Sequence, residues 1–317
     1  MATRQTGSAG RVDAVFVGVA TLDAIALVDG FPAPDDRVVA SQVVYAGGGP
    51  AATAAVAASR LGVRCAFVGT VGDDDNGRAI LAGLETEGVD VSGVTVSPGE
   101  ASAASVVVVD RLRDSRAICN RPAPRIDISA GLALIATTPV VHVDHAGWAP
   151  VAAAGGLGEN QLLSVDAGNP IPGFTPRGVG LYVPTVEALR RTYEVTRPVE
   201  DLLALAVADG CVVVVATDGG RGCSALTATG ESAHAPAHTV PILSTLGAGD
   251  VFHGALVAAV VKGLALDRQL AFANVTAALS CRGLDGRSRI PSLAEVEAAL
   301  PTTAHSLPTP SELQEHR

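Results

Sequence analysis

Six short apolar runs recur along the chain: VDAVFVGVA (12–20), CAFVGTVG (65–72), PVVHVD (139–144), LLSVD (162–166), GLYVP (180–184) and CVVVVATDG (211–219). Each reads as a strand buried on both faces. Most are followed by helical patterns. PAATAAVAASRLG (50–62) is a small-residue helix ending at Gly62, DNGRAILAGLETEG (75–88) is stopped by Gly88, and VEDLLALAVADG (199–210) is a third. Further helices read at about 250–265, 267–282 and 292–300. Apolar strands alternating with helices predict an α/β fold: a doubly wound, mostly parallel sheet with helices on both faces. Ligands of such sheets bind at the carboxyl ends of the strands. Asp144, Asp166, Glu187, Thr217 and Asp250 all fall at or just after predicted strand ends.

Two segments do not fit inside such a sheet. DRVVASQVVYA (36–46) alternates in part, and ASVVVVDRLRDSRAICN (104–120) reads as a hairpin. Together they predict a small antiparallel β lid. No repeat and no dividing linker appears, so residues 12–300 read as one domain carrying the lid. A loose polar tail is expected at 1–11, and a fraying proline-rich one at 301–317.

The ligand classes are bounded by charge. The net charge of -10 argues against a nucleic-acid surface, which needs clustered Lys and Arg. An anionic ligand must then be held locally, by a few arginines, backbone amides and Mg²⁺. Lys262 is the only lysine, and no G-x-x-x-x-G-K-[ST] occurs. That excludes a Walker-type nucleotide site. No apolar run reaches about 18 residues, so no membrane partner is expected. The start, MATRQTGSAGR, lacks the apolar core of a signal peptide, and the five scattered cysteines fit a reducing cytoplasm.

The stretch STLGAGD (244–250) follows a short apolar run and opens a long apolar helix. Unpaired N–H groups and the helix dipole make such a start attractive to anions. Gly247 and Gly249 let a ligand approach the backbone, and the amides near Gly247, Ala248 and Gly249 would face a phosphate. Asp250 is either a helix cap or the acceptor of a proton from an attacking hydroxyl. The positive field of the helix start is expected to keep it ionised at neutral pH. YAGGGPAATAA (45–55) sets three glycines before a helix. They serve close helix–sheet packing, or Gly48 and Gly49 present amides to a sugar hydroxyl. Asp23, just after the first strand, is a solvated loop residue or a grip for two hydroxyls. TDGGRG (217–222) is a plain turn or a lining for a nucleotide.

GGGPAATAAVAASRLG and STLGAGDVFHGAL, in this order, resemble the two signatures of the ribokinase-like (pfkB) family of carbohydrate kinases. The resemblance spans roughly residues 12–300. It implies a doubly wound α/β domain with a small β lid that often forms a homodimer clasp. It also implies Mg²⁺-assisted transfer of the ATP γ-phosphoryl group to a sugar hydroxyl. By position, Asp250 is similar to the catalytic base, and Gly247, Ala248 and Gly249 to the anion hole. Asp23, Gly48, Gly49 and Thr53 fall at sugar contacts, with Thr53 in place of a frequent asparagine. Thr217, Gly219, Gly222 and Asn274 fall at nucleotide contacts, and Asn274 at the adenine pocket. Glu187 matches the glutamate of an N-x-x-E element near Mg²⁺, which it would hold through water, but Pro184 replaces the asparagine. Ser244 and Leu246 stand where the family helps bind a monovalent cation, which puts K⁺ activation in doubt.

Within the family the motifs resemble those of ketohexokinases and sulfofructose kinases. Arg37 and Asn120, both on the expected lid, would meet a polar or anionic C6 substituent. The segment DHAGWAP after strand 139–144 lacks the arginine of the sulfofructose enzymes, so a ketohexose-like acceptor ranks above a sulfosugar. Ribose, ketodeoxy sugar acids and nucleosides are alternative acceptors. The other alternative is a non-catalytic sugar- or nucleotide-responsive protein.

Overall fold

Strand residues alternate between two apolar cores, which is what a sheet covered on both faces requires. Ala14 and Phe16 of the first strand enter one core, and Val15 and Val17 enter the other. The computed structural model describes residues 11–113 and 115–300. The expected tails at 1–11 and 301–317 therefore lie outside the described residues, apart from Arg11.

The strands are β1 (Ala14–Val17), β2 (Thr21–Val28), β3 (Gln42–Gly48), β4 (Cys65–Gly72), β5 (Asp90–Ser97), β6 (Ala104–Asp110) and β7 (Ser115–Arg121). They continue with β8 (Val140–Val143), β9 (Leu162–Ala167), β10 (Leu181–Pro184), β11 (Val213–Thr217), β12 (Cys223–Thr227) and β13 (Ser232–Ala235). The helices are α1 (Pro50–Arg60), α2 (Asp75–Thr86), α3 (Leu132–Thr137), α4 (Trp148–Ala153) and α5 (Val186–Tyr193). After them come α6 (Val199–Ala208), α7 (Ala248–Val261), α8 (Leu266–Ser280) and α9 (Leu293–Ala299).

Nine strands form the large sheet in the order β13-β12-β11-β10-β9-β8-β1-β4-β5. Every pairing from β11 to β5 is parallel, and β12 and β13 add an antiparallel edge. The strand order reverses at β1, which lies between β8 and β4. That is the point where a crevice opens at the carboxyl ends of a doubly wound sheet. One face is covered by α1, α2, α7 and α8, and the other by α3, α4, α5 and α6.

The small residues of α1 have a packing purpose. Ala51, Ala52, Ala54, Ala55, Ala57 and Ala58 are all buried. A Cβ on Gly254 of α7 would collide with the Ala54 carbonyl oxygen. Bare backbone on both sides lets α7 lie close to α1, and this draws the start of α7 toward the carboxyl end of β1. Phe16 and Phe67 fill the same core, each with burial contributing roughly 1.5–3 kcal/mol.

The second sheet has the order β3-β2-β6-β7. It contains the expected hairpin, β6 with β7, paired antiparallel. The segment at 36–46 becomes a strand only from Gln42 onward, and residues 36–41 are irregular. The cause is local: Asp35 takes a positive φ of 67°, and Ser41 is tied by its N–H to the Leu27 carbonyl. The sheet also holds a strand that the sequence reading does not anticipate. TLDAIALV forms β2, and Asp23 lies within it rather than in a solvated loop. Its alternation is muted because alanines occupy the outer positions Ala24 and Ala26.

Candidate active site

Register fixes which lid residues face inward. Asp23 pairs across to Ser105, and Ser105 to Asn120, so the three form one row on one face. That row lines a cavity of about 680 Å³ between the lid and the large sheet. Gly47, Gly48, Gly49 and Thr53 line it from the start of α1, and Gly247 and Asp250 from the start of α7. A second cavity of about 580 Å³ opens on the other side of the same turn. Thr217, Gly219, Gly222, Asn274, Glu187, Ala248 and Gly249 line this one. The stretch 247–250 is therefore the wall between the two spaces. Its Asp250 faces one, and its Ala248 and Gly249 face the other.

Arg37 is exposed, on the irregular segment before β3, and does not line either cavity, so the lid position expected for it is corrected. Asn274 lines the second cavity, but its Nδ2 donates to the carbonyls of Ala235 and Pro236 at 2.9 and 3.1 Å. It thereby fixes the turn after β13. At Gly222 a Cβ would collide with the Ala235 carbonyl, and its φ of 93° also favours glycine.

Arg287 is the site residue that sequence reasoning missed. It is 7% exposed, in the loop after α8. Its Nη2 donates to the Gly48 carbonyl at 2.6 Å, and its Nε to Thr53 Oγ1 at 3.2 Å. A Cβ on Gly47 would strike this guanidinium, and one on Gly48 would strike the Asp23 carboxylate. The triple glycine thus serves packing in the first instance, by letting an arginine and an aspartate reach the cavity floor. Burial pulls the Arg287 guanidinium down to about 10, against the opposing pull of Asp23 and other nearby carboxylates, so it stays charged at neutral pH. Asp285 holds its loop, accepting from the N–H groups of Arg287 and Ser288 at 2.8 and 2.7 Å.

Carboxylates at the strand ends behave differently from one another. Asp144, after β8, is fully buried and accepts from the N–H groups of Val19, Ala51, Ala146 and Gly147, at 2.7, 3.3, 2.9 and 2.9 Å. It ties together the ends of β1 and β8 and the start of α1. Asp166 on β9 meets Nε2 of His253 at 3.1 Å. Burial opposes its ionisation, but the His253 imidazole and the Gly168 amide outweigh this and hold it at about 2. Asp250 is raised to about 7, first by burial and then by repulsion from Asp166, with His253 and Arg287 acting in the opposite direction. This corrects the expectation that the helix start alone keeps Asp250 ionised. The dipole is outweighed by a half-buried setting with two other carboxylates close by. Asp23 is also raised, chiefly by burial, although Thr21 Oγ1 donates to it at 2.8 Å.

Leu246 packs partly buried beneath the lid beside Leu284, Ile25 and Val107, so its side chain belongs to an apolar cluster. Ser244 Oγ accepts from the Leu246 N–H at 3.1 Å.

Two adjoining cavities, a carboxylate on one side of a helix start and the backbone of a glycine turn on the other, on a doubly wound sheet with a lid, define a ribokinase-like phosphotransferase. The profile of the pfkB family carbohydrate kinases matches residues 12–142 and 181–293, and the chain belongs to that family. It is a carbohydrate kinase, a phosphotransferase with an alcohol group as acceptor. The ATP-dependent ribose-1-phosphate kinase of Halopiger xanaduensis is 28% identical over 279 residues, covering 86% of this chain and 93% of the relative. The ketohexokinase of Mus musculus is 27% identical over 306 residues, covering 85% and 97%. The crystal structure of ribokinase from Thermotoga maritima superposes with a TM-score of 0.78 at 22% identity, over 91% of this chain and 99% of that one, a likeness of fold. No helix among the described residues is long and apolar enough to cross a membrane.

Proposed function

We propose that this kinase transfers the γ-phosphoryl group of ATP to a hydroxyl of a ketohexose-like sugar, fructose or a 6-substituted fructose, with Asp250 as the base. The observation that carries the reading is the shared wall. A donor in the second cavity and an acceptor in the first would meet at 247–250, with Asp250 on the acceptor side. Transfer forms the bond from the sugar oxygen to the γ-phosphorus and breaks the one from that phosphorus to the β–γ bridging oxygen. The hydroxyl proton passes to Asp250, and ADP leaves. The amides of Gly247, Ala248 and Gly249 supply donors to the charge that develops on the phosphoryl oxygens. Asp23, Asn120 and the amides of Gly48 and Gly49 hold sugar hydroxyls, while Thr53 acts through Arg287. Thr217, Gly219 and Gly222 line the space for the nucleotide, and Asn274 shapes it.

The described residues contain no group of three or more His, Cys, Asp or Glu able to cage a metal. Glu187 is an exposed carboxylate in the first turn of α5, on the wall of the second cavity, 3.7 Å from Nη1 of Arg191. That fits Mg²⁺, which keeps waters and takes phosphate oxygens as its other ligands. Bound there, Mg²⁺ would neutralise phosphate charge. Potassium is not part of the reading, since Leu246 offers no side-chain oxygen.

The two sites should be separable by binding. Asp23→Asn is expected to abolish the rise in melting temperature caused by the sugar while leaving that caused by a non-hydrolysable ATP analogue. Loss of both shifts, or of neither, would sink the assignment of the lid cavity to the sugar.

The outward face of the lid supports a homodimer. Val43, Tyr45, Val106 and Cys119 lie on that face, and Tyr45 is 76% exposed. Sedimentation is expected to show a dimer at micromolar concentration, and Tyr45→Glu a monomer. A wild-type monomer would contradict it.

A further inference from the structure

The space read as the nucleotide site is poor in positive charge. Among the described residues its wall carries no arginine or lysine, only His238, and it includes the carboxyl groups of Glu187 and Asp218. Arg221 lies close by, but both its Nε and its Nη2 are engaged by Asp218 at 2.6 Å. Arg121 and Arg125 line the acceptor cavity, and Arg287 is buried beneath that cavity's floor. A nucleoside triphosphate in the second cavity would thus meet backbone amides and a divalent cation, with no cationic side chain in the wall to complete its neutralisation.

One arginine stands at the seam. Arg116 begins the inward-facing row of β7 that continues through Ile118 to Asn120. Arg116 and Asn120 are four strand steps apart, roughly 13 Å. Its Nη1 donates to Thr245 Oγ1 at 3.0 Å. Thr245 lines the second cavity, two residues before Gly247. Arg116 is exposed, and no carboxylate among the described residues lies within ion-pair distance of it. The same strand therefore carries Asn120 over the acceptor and, beside the anion turn, a cation that no carboxylate among the described residues pairs.

We infer that Arg116 is a phosphate-binding residue delivered by the lid, which leaves Thr245 for a terminal phosphoryl oxygen when the lid closes. The inference rests on the reading of the second cavity as the triphosphate site. A planar guanidinium can form paired, charge-assisted bonds to phosphate oxygens. Mounting it on the strand that covers the sugar would make charge neutralisation of the phosphoryl group conditional on a seated acceptor. Wasteful hydrolysis of the triphosphate would thereby be suppressed.

The test compares Arg116→Ala, Arg116→Gln and Arg116→Lys with wild type, by sugar-dependent ADP release and by melting temperature. Gln keeps a donor for Thr245 without charge, and Lys keeps charge. The expected result is a fall in kcat of roughly 10- to 100-fold for both Ala and Gln. Lys should retain more activity than either, millimolar guanidinium should restore part of the Ala variant's rate, and melting temperatures should be unchanged. If Gln matches wild type, Arg116 serves only to dock the lid and the inference is overturned. It is likewise overturned if the Ala variant loses less than about 2-fold. Absence of ADP release by the wild-type enzyme with every sugar would instead overturn the reading on which the inference rests.

Discussion

Asp250→Asn is expected to lower kcat by roughly 10²–10⁴ while folding and ATP binding persist, because an amide cannot accept the hydroxyl proton. A cap at a helix start is served as well by Asn as by Asp, so capping alone forecasts little change. The electrostatic setting adds a second readout. With its acidity constant near 7, Asp250 must lose a proton before it can act, so wild-type kcat/KM should fall below about pH 7. For stability, a carboxyl raised on folding is stabilising while protonated. That contribution is present at acid pH and is lost as pH rises through about 7, where the half-buried charge costs free energy. Asn never carries that charge. The melting temperature of Asp250→Asn relative to wild type should therefore increase between pH 5 and pH 8. A variant that retains most of its activity would refute the assignment of the base.

Arg287→Met is expected to damage both stability and activity. It would leave the Gly48 carbonyl without its donor and Asp23 and Asp250 without a nearby buried cation. Removing one partner from a buried charge cluster costs roughly 3–5 kcal/mol. Denaturant unfolding should show that loss. The surviving folded enzyme should show a higher KM for sugar and an acid limb moved to higher pH, since Arg287 helps hold the Asp250 carboxyl down. A variant as stable as wild type, with an unmoved pH profile, would show that Arg287 has no such role.

These two residues also mark how far the sequence could be read. Asp250 was legible because a glycine turn before a long apolar helix has a local physical meaning, and the fully apolar strands made the parallel sheet legible in the same way. Arg287 was not, because nothing in LDGRSR separates a buried arginine from a solvated one. Its role arises only when the loop after α8 is brought against the start of α1, residues more than 200 apart in sequence. Asp23, expected as a sugar contact, does line the first cavity, but it was misplaced in a loop, since the alanines of β2 hide the alternation that marks a strand. Arg37 failed for the opposite reason. A partly alternating pattern suggested a strand, but turn geometry at Asp35 keeps that part of the chain out of the lid. The acidity of Asp250 depends on Asp144 and Asp166, which converge on it from other strands, so the local helix start was a poor guide to it.

The central claim is that a ketohexose-like sugar is the acceptor at Asp250. It is tested most directly by kcat/KM for ADP release with ATP and Mg²⁺ over fructose, 6-substituted fructoses, ribose, ketodeoxy sugar acids and nucleosides. The account predicts the highest value for fructose or a 6-substituted fructose. A higher value for ribose, a sugar acid or a nucleoside, or no sugar-dependent ADP release at all, would contradict it.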